Sequence, residues 1–412
     1  MNKISILIII CFLIFACKNS ESKEQTFPGR IASINKSNLI TKLNHKPTQI
    51  TIDLSKTIDG NFDDYFSLKN VIYLDNKSPI GQVTLIRQYK DRLFILDREN
   101  TQQLFCFDLK GKLIWEFKSK GGGPLEYNKI SDFVINEKKQ TIDVLDKNSY
   151  KIINLDIYTG IAKTEFKLGV YGREMVLYDN GDYLLHTENL TVSDELNYKL
   201  LLINTNQQIN SRNLPVFGND KNKHSTGFRS LEKSNGTIYF TETLNDTIYT
   251  IKNDTLRTRY YVDFLDKKYP EELNKNFTLD KAERLNGNKP YITPIDLVRE
   301  KNGILNFMFS YKSSFYTVFY DISNKSTYIF NKLKNGKTFG EFEQILTQGY
   351  INDGFIVIIE PFMLEMMKES MGNNEKLKEN LIKYKPELYN AIVKTNKNSN
   401  PILFVYEFKK NN

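Results

Sequence analysis

Three acidic residues stand at the same place in short, otherwise apolar segments: Asp132 in Ser131-Asp132-Phe133-Val134, Glu174 in Arg173-Glu174-Met175-Val176, and Asp296 in Ile295-Asp296-Leu297-Val298. Carboxylates gathered at one register repel each other unless a cation, an arginine or water compensates. Arg173 and Arg299 are the nearest arginines in sequence. A divalent cation held by such acids would activate water, so Asp132, Glu174 and Asp296 are the candidate catalytic and metal-ligating residues of one reading, a metal-dependent hydrolase or lyase. The other reading, in which the acids are polar residues of a wet channel and no cofactor is needed, is preferred because no general-base pair accompanies them.

Other catalytic chemistries find less support. His45, His186 and His224 are scattered, with no H-x-E, HExxH or paired cysteine nearby, which argues against a zinc enzyme. No serine occupies a G-x-S-x-G elbow. The run Gly121-Gly122-Gly123-Pro124 precedes neither Lys-Ser/Thr nor a helix start, so it is not a phosphate cradle.

The elements that position these residues are strands in a repeat. Leu93-Phe94-Ile95-Leu96-Asp97, Phe107-Asp108 and Gly111 recur as Ile142-Asp143-Val144-Leu145-Asp146, Leu155-Asp156 and Gly160, at spacings of 49, 48 and 49 residues. That period marks a radial β array, and the 27 Phe and 24 Tyr suit strands. Units of four short strands can be followed six times from Val83 to Lys409, each beginning with an inner strand that lines a central channel. The expectation is an all-β, six-bladed β-propeller with four-stranded antiparallel blades. A helical insertion at about 361–395 interrupts the last blade: Met363, Met366, Met367 and Met371 form a helical stripe, read as packing on the propeller flank, and Pro386 can open a second helix. The early strand Ile50–Leu54 is expected to pair with Ile402–Lys409 and close the ring, leaving no open edge.

The N-terminus carries an address. Met1-Asn2-Lys3 precedes an apolar run from Ile4 to Ala16 that ends at Cys17, too short to span a bilayer comfortably and similar to a lipoprotein signal. The expected organisation is a signal peptide at 1–16, a lipidated Cys17 with a polar tether at 17–47, and the propeller at 48–412. Diacylated Cys17 would hold the protein on a membrane, in the cell envelope and there the outer membrane. With Cys11 removed, Cys106 has no intramolecular disulfide partner. The net charge of +8 is spread over Lys- and Asn-rich loops rather than gathered in a stripe, so no nucleic-acid partner is expected.

The segment Gly121-Gly122-Gly123-Pro124-Leu125-Glu126-Tyr127, followed by Ile130-Ser131-Asp132-Phe133, resembles a signature of lipid-anchored six-bladed β-propellers from Bacteroidetes-type bacteria. Leu125 replaces the usual last glycine. Tyr261-Val262-Asp263-Phe264 with Pro270-Glu271-Glu272-Leu273, and Asn400-Pro401-Ile402-Leu403-Phe404-Val405-Tyr406, extend the resemblance across residues 50–410. It implies an NHL-like fold and an envelope location, with no defined activity. Physically, the glycines are expected to supply positive φ where the chain crosses between blades. The functional expectation is a membrane-anchored extracytoplasmic module that binds a peptide, glycan or envelope protein on its crossing-loop face through Arg98, Glu99, Glu126, Tyr127 and Lys147. A structural subunit of an envelope complex is a further alternative.

Overall fold

Runs of β-branched and aromatic residues, punctuated by polar turns, build six four-stranded antiparallel sheets. The computed structural model describes residues 33–34, 40–42 and 46–409, apart from 191–193, 217–227, 253–254, 271–290, 313, 336–338, 343–346 and 353. Blade 1 comprises Leu85–Tyr89, Arg92–Asp97, Gln103–Asp108 and Leu113–Phe117. Blade 2 uses Ile130–Asn136, Thr141–Asp146, Lys151–Asp156 and Ala162–Lys167, and blade 3 uses Glu174–Leu177, Tyr183–His186, Tyr198–Ile203 and Gln208–Pro215. Blade 4 runs through Leu231–Ser234, Thr237–Thr241, Thr247–Lys252 and Thr255–Asp263; blade 5 through Thr293–Lys301, Ile304–Tyr311, Ser314–Asp321 and Thr327–Phe330. The first strand of each is innermost, and inner strands of adjoining blades lie side by side from blade 6 through blades 1, 2, 3 and 4 to blade 5. The expected six-bladed β-propeller is the observed fold.

Apolar side chains fill the spaces between blades, giving six cores among the described residues, one for each pair of neighbouring sheets. Phe94, Leu104 and Cys106 of blade 1, for example, pack with Phe133, Ile142 and Val144 of blade 2. Each blade therefore buries both faces, and no sheet is stable without its neighbours. Cys106 lies in this core as a free thiol, its pKa pushed up to about 12 by burial.

The repeat has a physical basis at the strand ends. Asp97 accepts hydrogen bonds from the N–H groups of Gly81, Gln82, Asn100 and Thr101, and Asp146 accepts from those of Asn128, Lys129, Asn148 and Ser149. Each carboxylate ties the turn after its own strand to the chain entering the same blade. Asp108 and Asp156 close the third-to-fourth strand turns, where Gly111 and Gly160 take φ of +87° and +70°, a region that favours glycine.

Closure differs from the sequence expectation. The C-terminal strand Ile402–Phe408 pairs antiparallel with Phe66–Tyr73, from Phe408↔Phe66 to Ile402↔Tyr73 with a register shift between Val405 and Tyr406, and these two complete blade 6 with Thr347–Ile351 and Gly354–Ile359. The strand placed at Ile50–Leu54 is Thr48–Thr51, and it lies parallel on Tyr260–Asp263, outside blade 4. The closing strand must run directly into the inner strand of blade 1, and Tyr73 is only a short connection from Leu85 whereas Thr51 is not. Ser33–Ile34 and Ile40–Lys42 pair likewise with the outer strands of blades 3 and 4, and Ile58 bridges Phe330 of blade 5. The N-terminal segment thus passes along three blade edges and covers hydrogen-bonding groups that would otherwise be exposed.

Between the second and third strands of blade 6 stand three helices rather than two, Pro361–Gly372, Glu375–Tyr384 and Pro386–Lys394. Leu364, Met371, Leu381, Leu388 and Ile392 bury against the core between blades 5 and 6. Met363 and Met367 pack beside them, while Met366 is 56% exposed, so the methionine stripe is mostly a packing face. Residues 1–32, with the expected signal peptide and Cys17, and the histidines at 45 and 224 lie outside the described residues.

Candidate functional site

The inner strands project their polar side chains toward the axis, and the three acids named from sequence stand there, fully or nearly buried. Each also grips a neighbouring blade. Asp132 Oδ2 accepts from Met175 N–H of blade 3 at 2.7 Å. Glu174 Oε2 accepts from Leu231 N–H of blade 4 at 2.8 Å and from Ser230 N–H at 3.1 Å. Asp296 of blade 5 accepts from Phe228 N–H, just ahead of blade 4's inner strand, at 3.1 Å. All three acids stand on inner strands; Asp132 and Glu174 bond to the following blade and Asp296 to the preceding one, so each clips adjacent inner strands together.

Arginines supply the compensation. Arg229 Nη2 lies 2.9 Å from Asp132 Oδ2, and Arg229 Nε lies 2.7 Å from Glu232 Oε2. Arg87 of blade 1 reaches across the ring to Glu232 at 2.8 Å and donates through Nε to the Phe133 carbonyl. Arg299 Nη2 stands 3.7 Å from the same carboxylate. Arg173 pairs with Glu188 and approaches Glu174, whose other neighbour is His186 Nδ1 at 3.4 Å. Of the two arginines named from sequence, Arg173 approaches Glu174 and Arg299 stands against Glu232; Arg87, Arg229 and Glu232 carry no such signal in the sequence, although Arg229 lies two residues before an inner strand.

Burial and charge set the protonation of these groups. For Glu174, burial opposes ionisation, but His186, Arg229 and Arg173 outweigh it and hold the carboxyl well below the usual range. Glu232 is likewise lowered to about 2, because Arg87, Arg229 and Arg299 overcome its burial. Asp296 behaves oppositely: burial raises it to about 7, and its backbone hydrogen bond offsets only part of that. The three acids are thus separately engaged, and no three His, Cys, Asp or Glu side chains among the described residues gather as metal ligands.

The five residues named for binding fall on the crossing-loop face, with different fates. Arg98 and Glu99 pair with each other at 2.8 Å, Glu99 being 45% exposed on its side chain. Burial opposes ionisation of Glu99, while Arg98, Lys129 and Lys147 lower its pKa. Lys147 is half-buried; burial and then Lys129 depress its pKa, with Glu188 acting in the other direction. Arg98, Glu99 and Lys147 are therefore brought together with Lys129, Arg173 and Glu188 near the mouth of the axis. Tyr127 is not available for contact. It is 1% exposed, its ring packs on Phe117, and burial pushes its hydroxyl up to about 12.

Glu126 closes the glycine loop from within, accepting from Gly123 N–H at 2.8 Å. A side chain at Gly121 would collide with that carboxylate, and one at Gly123 would press tightly on it. Neither glycine has positive φ; the left-handed residue is Leu125, at +59°. The glycines make room for Glu126, and the conformational demand falls on the position where Leu125 replaces the usual glycine.

On the opposite face, where the first and second strands of each blade turn, a cavity of about 620 Å³ opens on the axis. Arg87, Glu232, Arg299 and Tyr350 line it. The salt-bridged layer around Arg229 thus separates a charged upper surface from a lower cavity.

These features define a six-bladed β-propeller whose axis is crossed by buried ion pairs. By sequence, the chain belongs to the DUF4934 family, a domain of unknown function, whose model matches residues 15–407. No curated protein matches it by sequence. A crystal structure from Bacteroides fragilis, of a protein assigned as exported, is similar with a TM-score of 0.72 at 19% identity, covering 89% of this chain and 100% of that one. A DUF4221 family member from Bacteroides vulgatus matches with a TM-score of 0.51 at 8% identity, covering 84% and 98%. The resemblance drawn from the glycine signature is thereby placed in a family of undefined activity.

Proposed function

We propose that this protein is a non-catalytic, extracytoplasmic binding module, anchored to the envelope through lipidated Cys17, that engages a peptide, glycan or envelope-protein partner on its crossing-loop face. The observation that carries the reading is the use of Asp132, Glu174 and Asp296 as clips between inner strands. Carboxylates occupied by main-chain N–H groups and arginine hold the ring together, and they leave recognition to the surface. The exported assignment of the Bacteroides fragilis relative supports the location, as does the apolar run before Cys17. The contacts are Arg98, Glu99 and Lys147 together with their neighbour Lys129, and a partner bearing acidic groups suits the lysines.

Cross-linking in native membranes, followed by mass spectrometry, tests this. A partner captured by the parent and lost from a Lys129→Glu/Lys147→Glu variant of unchanged melting temperature is the expected result. Identical capture by both proteins would remove the face assignment, and a soluble, unacylated Cys17→Ser product is expected if the anchor is as described.

A further inference from the structure

The cavity on the hairpin face lies on the other side of the ion-pair layer and has a different chemistry. Its wall is built by the ends of all six inner strands and the turns that follow them, so its shape is set by rigid sheet rather than by loops. Cations outnumber acids along it: Arg87, Lys138, Lys233, Arg299 and Lys301 face Glu137, Asp179 and Glu232. At the floor, two guanidinium groups, Arg87 and Arg299, flank the single carboxylate of Glu232. Glu232 is also shared with Arg229. Arg87 spends Nε on Phe133 and Nη1 on Glu232, while its buried Nη2 has no hydrogen-bond partner.

A buried guanidinium nitrogen without an acceptor is costly, and Nη2 is the arm of Arg87 left to meet an anion oxygen through a charge-assisted hydrogen bond. Gln88, Asn136, Ser234 and Asn235 also line the cavity and bring amide and hydroxyl groups to it. The volume falls within the range of roughly 300–1,000 Å³ typical of small-molecule sites. We propose that this cavity binds a small, hydroxylated organic anion, such as a sugar acid or sugar phosphate, with a carboxylate or phosphate oxygen on Arg87 Nη2 at the floor and its hydroxyl groups on the polar wall. The site is independent of the crossing-loop face, so loss of either reading leaves the other standing.

Isothermal titration calorimetry with D-glucuronate, D-glucose 6-phosphate and D-glucose tests the proposal. One or both anions are expected to bind, glucose is not, and the affinity should fall as salt is raised. Binding of glucuronate alone identifies a carboxylate site, and binding of the sugar phosphate alone a phosphate site. Arg87→Gln should weaken the anion at least about tenfold, in line with loss of a charge-assisted hydrogen bond. Because that change also disturbs the axis, Lys138→Glu at the exposed rim serves as a second variant; it should weaken the anion about threefold by reversing the local field without altering the melting temperature. Absence of binding by both anions, or binding that neither variant nor salt affects, would overturn the assignment.

Discussion

Arg87 of blade 1 and Glu232 of blade 4, 145 residues apart in sequence, meet at 2.8 Å across the axis of the propeller. In a ring of six these blades are opposite each other, so the pair acts as a spoke that spans the channel. Arg229 and Asp132 make a second span, between blades 4 and 2. The channel is crossed by ion pairs, and the same pairs divide the upper face from the cavity below.

Removing one partner of a buried pair leaves the other charge uncompensated. Glu232→Ala would strand Arg87, Arg229 and Arg299 around an empty place, and a loss of about 3–5 kcal/mol is expected. Urea unfolding would measure it. A loss below about 1 kcal/mol would show that water reaches the axis and that the spokes are dispensable.

The pH dependence follows from acids shifted in opposite directions. Asp296 and Glu360 are raised to about 7, and Asp246 to about 6, chiefly by burial. Unfolded carboxyls titrate near about 4, so between that value and about 7 the folded protein binds more protons, and stability falls as pH rises through the window. Glu232, lowered to about 2, contributes stability above its unfolded pKa that is lost as pH falls toward 2. The melting temperature should therefore peak near pH 4–5, and Asp296→Asn should flatten part of the decline toward pH 8. A parent profile that climbs steadily from pH 5 to 8 would contradict the burial of these groups.

The staple at Asp146 offers a local test. Asp146→Ala removes the acceptor for four N–H groups, at a cost of about 2 kcal/mol. Amide exchange at Asn128 and Lys129 should accelerate more than exchange in the blade 2 strands. Uniform acceleration would mean that the crossing and the blade open together.

Leu125 carries strain that glycine would relieve. A left-handed L-residue costs about 1–2 kcal/mol, against which glycine loses about 0.5–1 kcal/mol of chain entropy. Leu125→Gly is expected to leave stability unchanged or raise it by up to about 1 kcal/mol, read from the shift in urea midpoint. A clear loss would show that the half-buried leucine side chain holds the loop.

Ring closure separates two truncations. Deleting residues 46–56 removes the edge strand on blade 4 and should leave a folded, less stable monomer, whereas deletion through Tyr73 opens blade 6 and should give aggregates on size-exclusion chromatography. Equal behaviour of the two proteins would place the closure elsewhere.

The repeat of Asp97 and Asp146, the placing of Asp132, Glu174 and Asp296 on inner strands, and the helical insertion were all legible in the chain, because turns, staples and strand alternation depend on residues a few positions apart. Which early strand closes the ring was not: Ile50–Leu54 reads as the closing strand, and only the path into blade 1 shows that Phe66–Tyr73 takes that place. Nor could the sequence pair Arg87 with Glu232 or Arg229 with Asp132. Local pattern determined each blade; the partners across the axis, and hence the sealed channel and the cavity beneath it, were decided when closure brought opposite blades within hydrogen-bond distance.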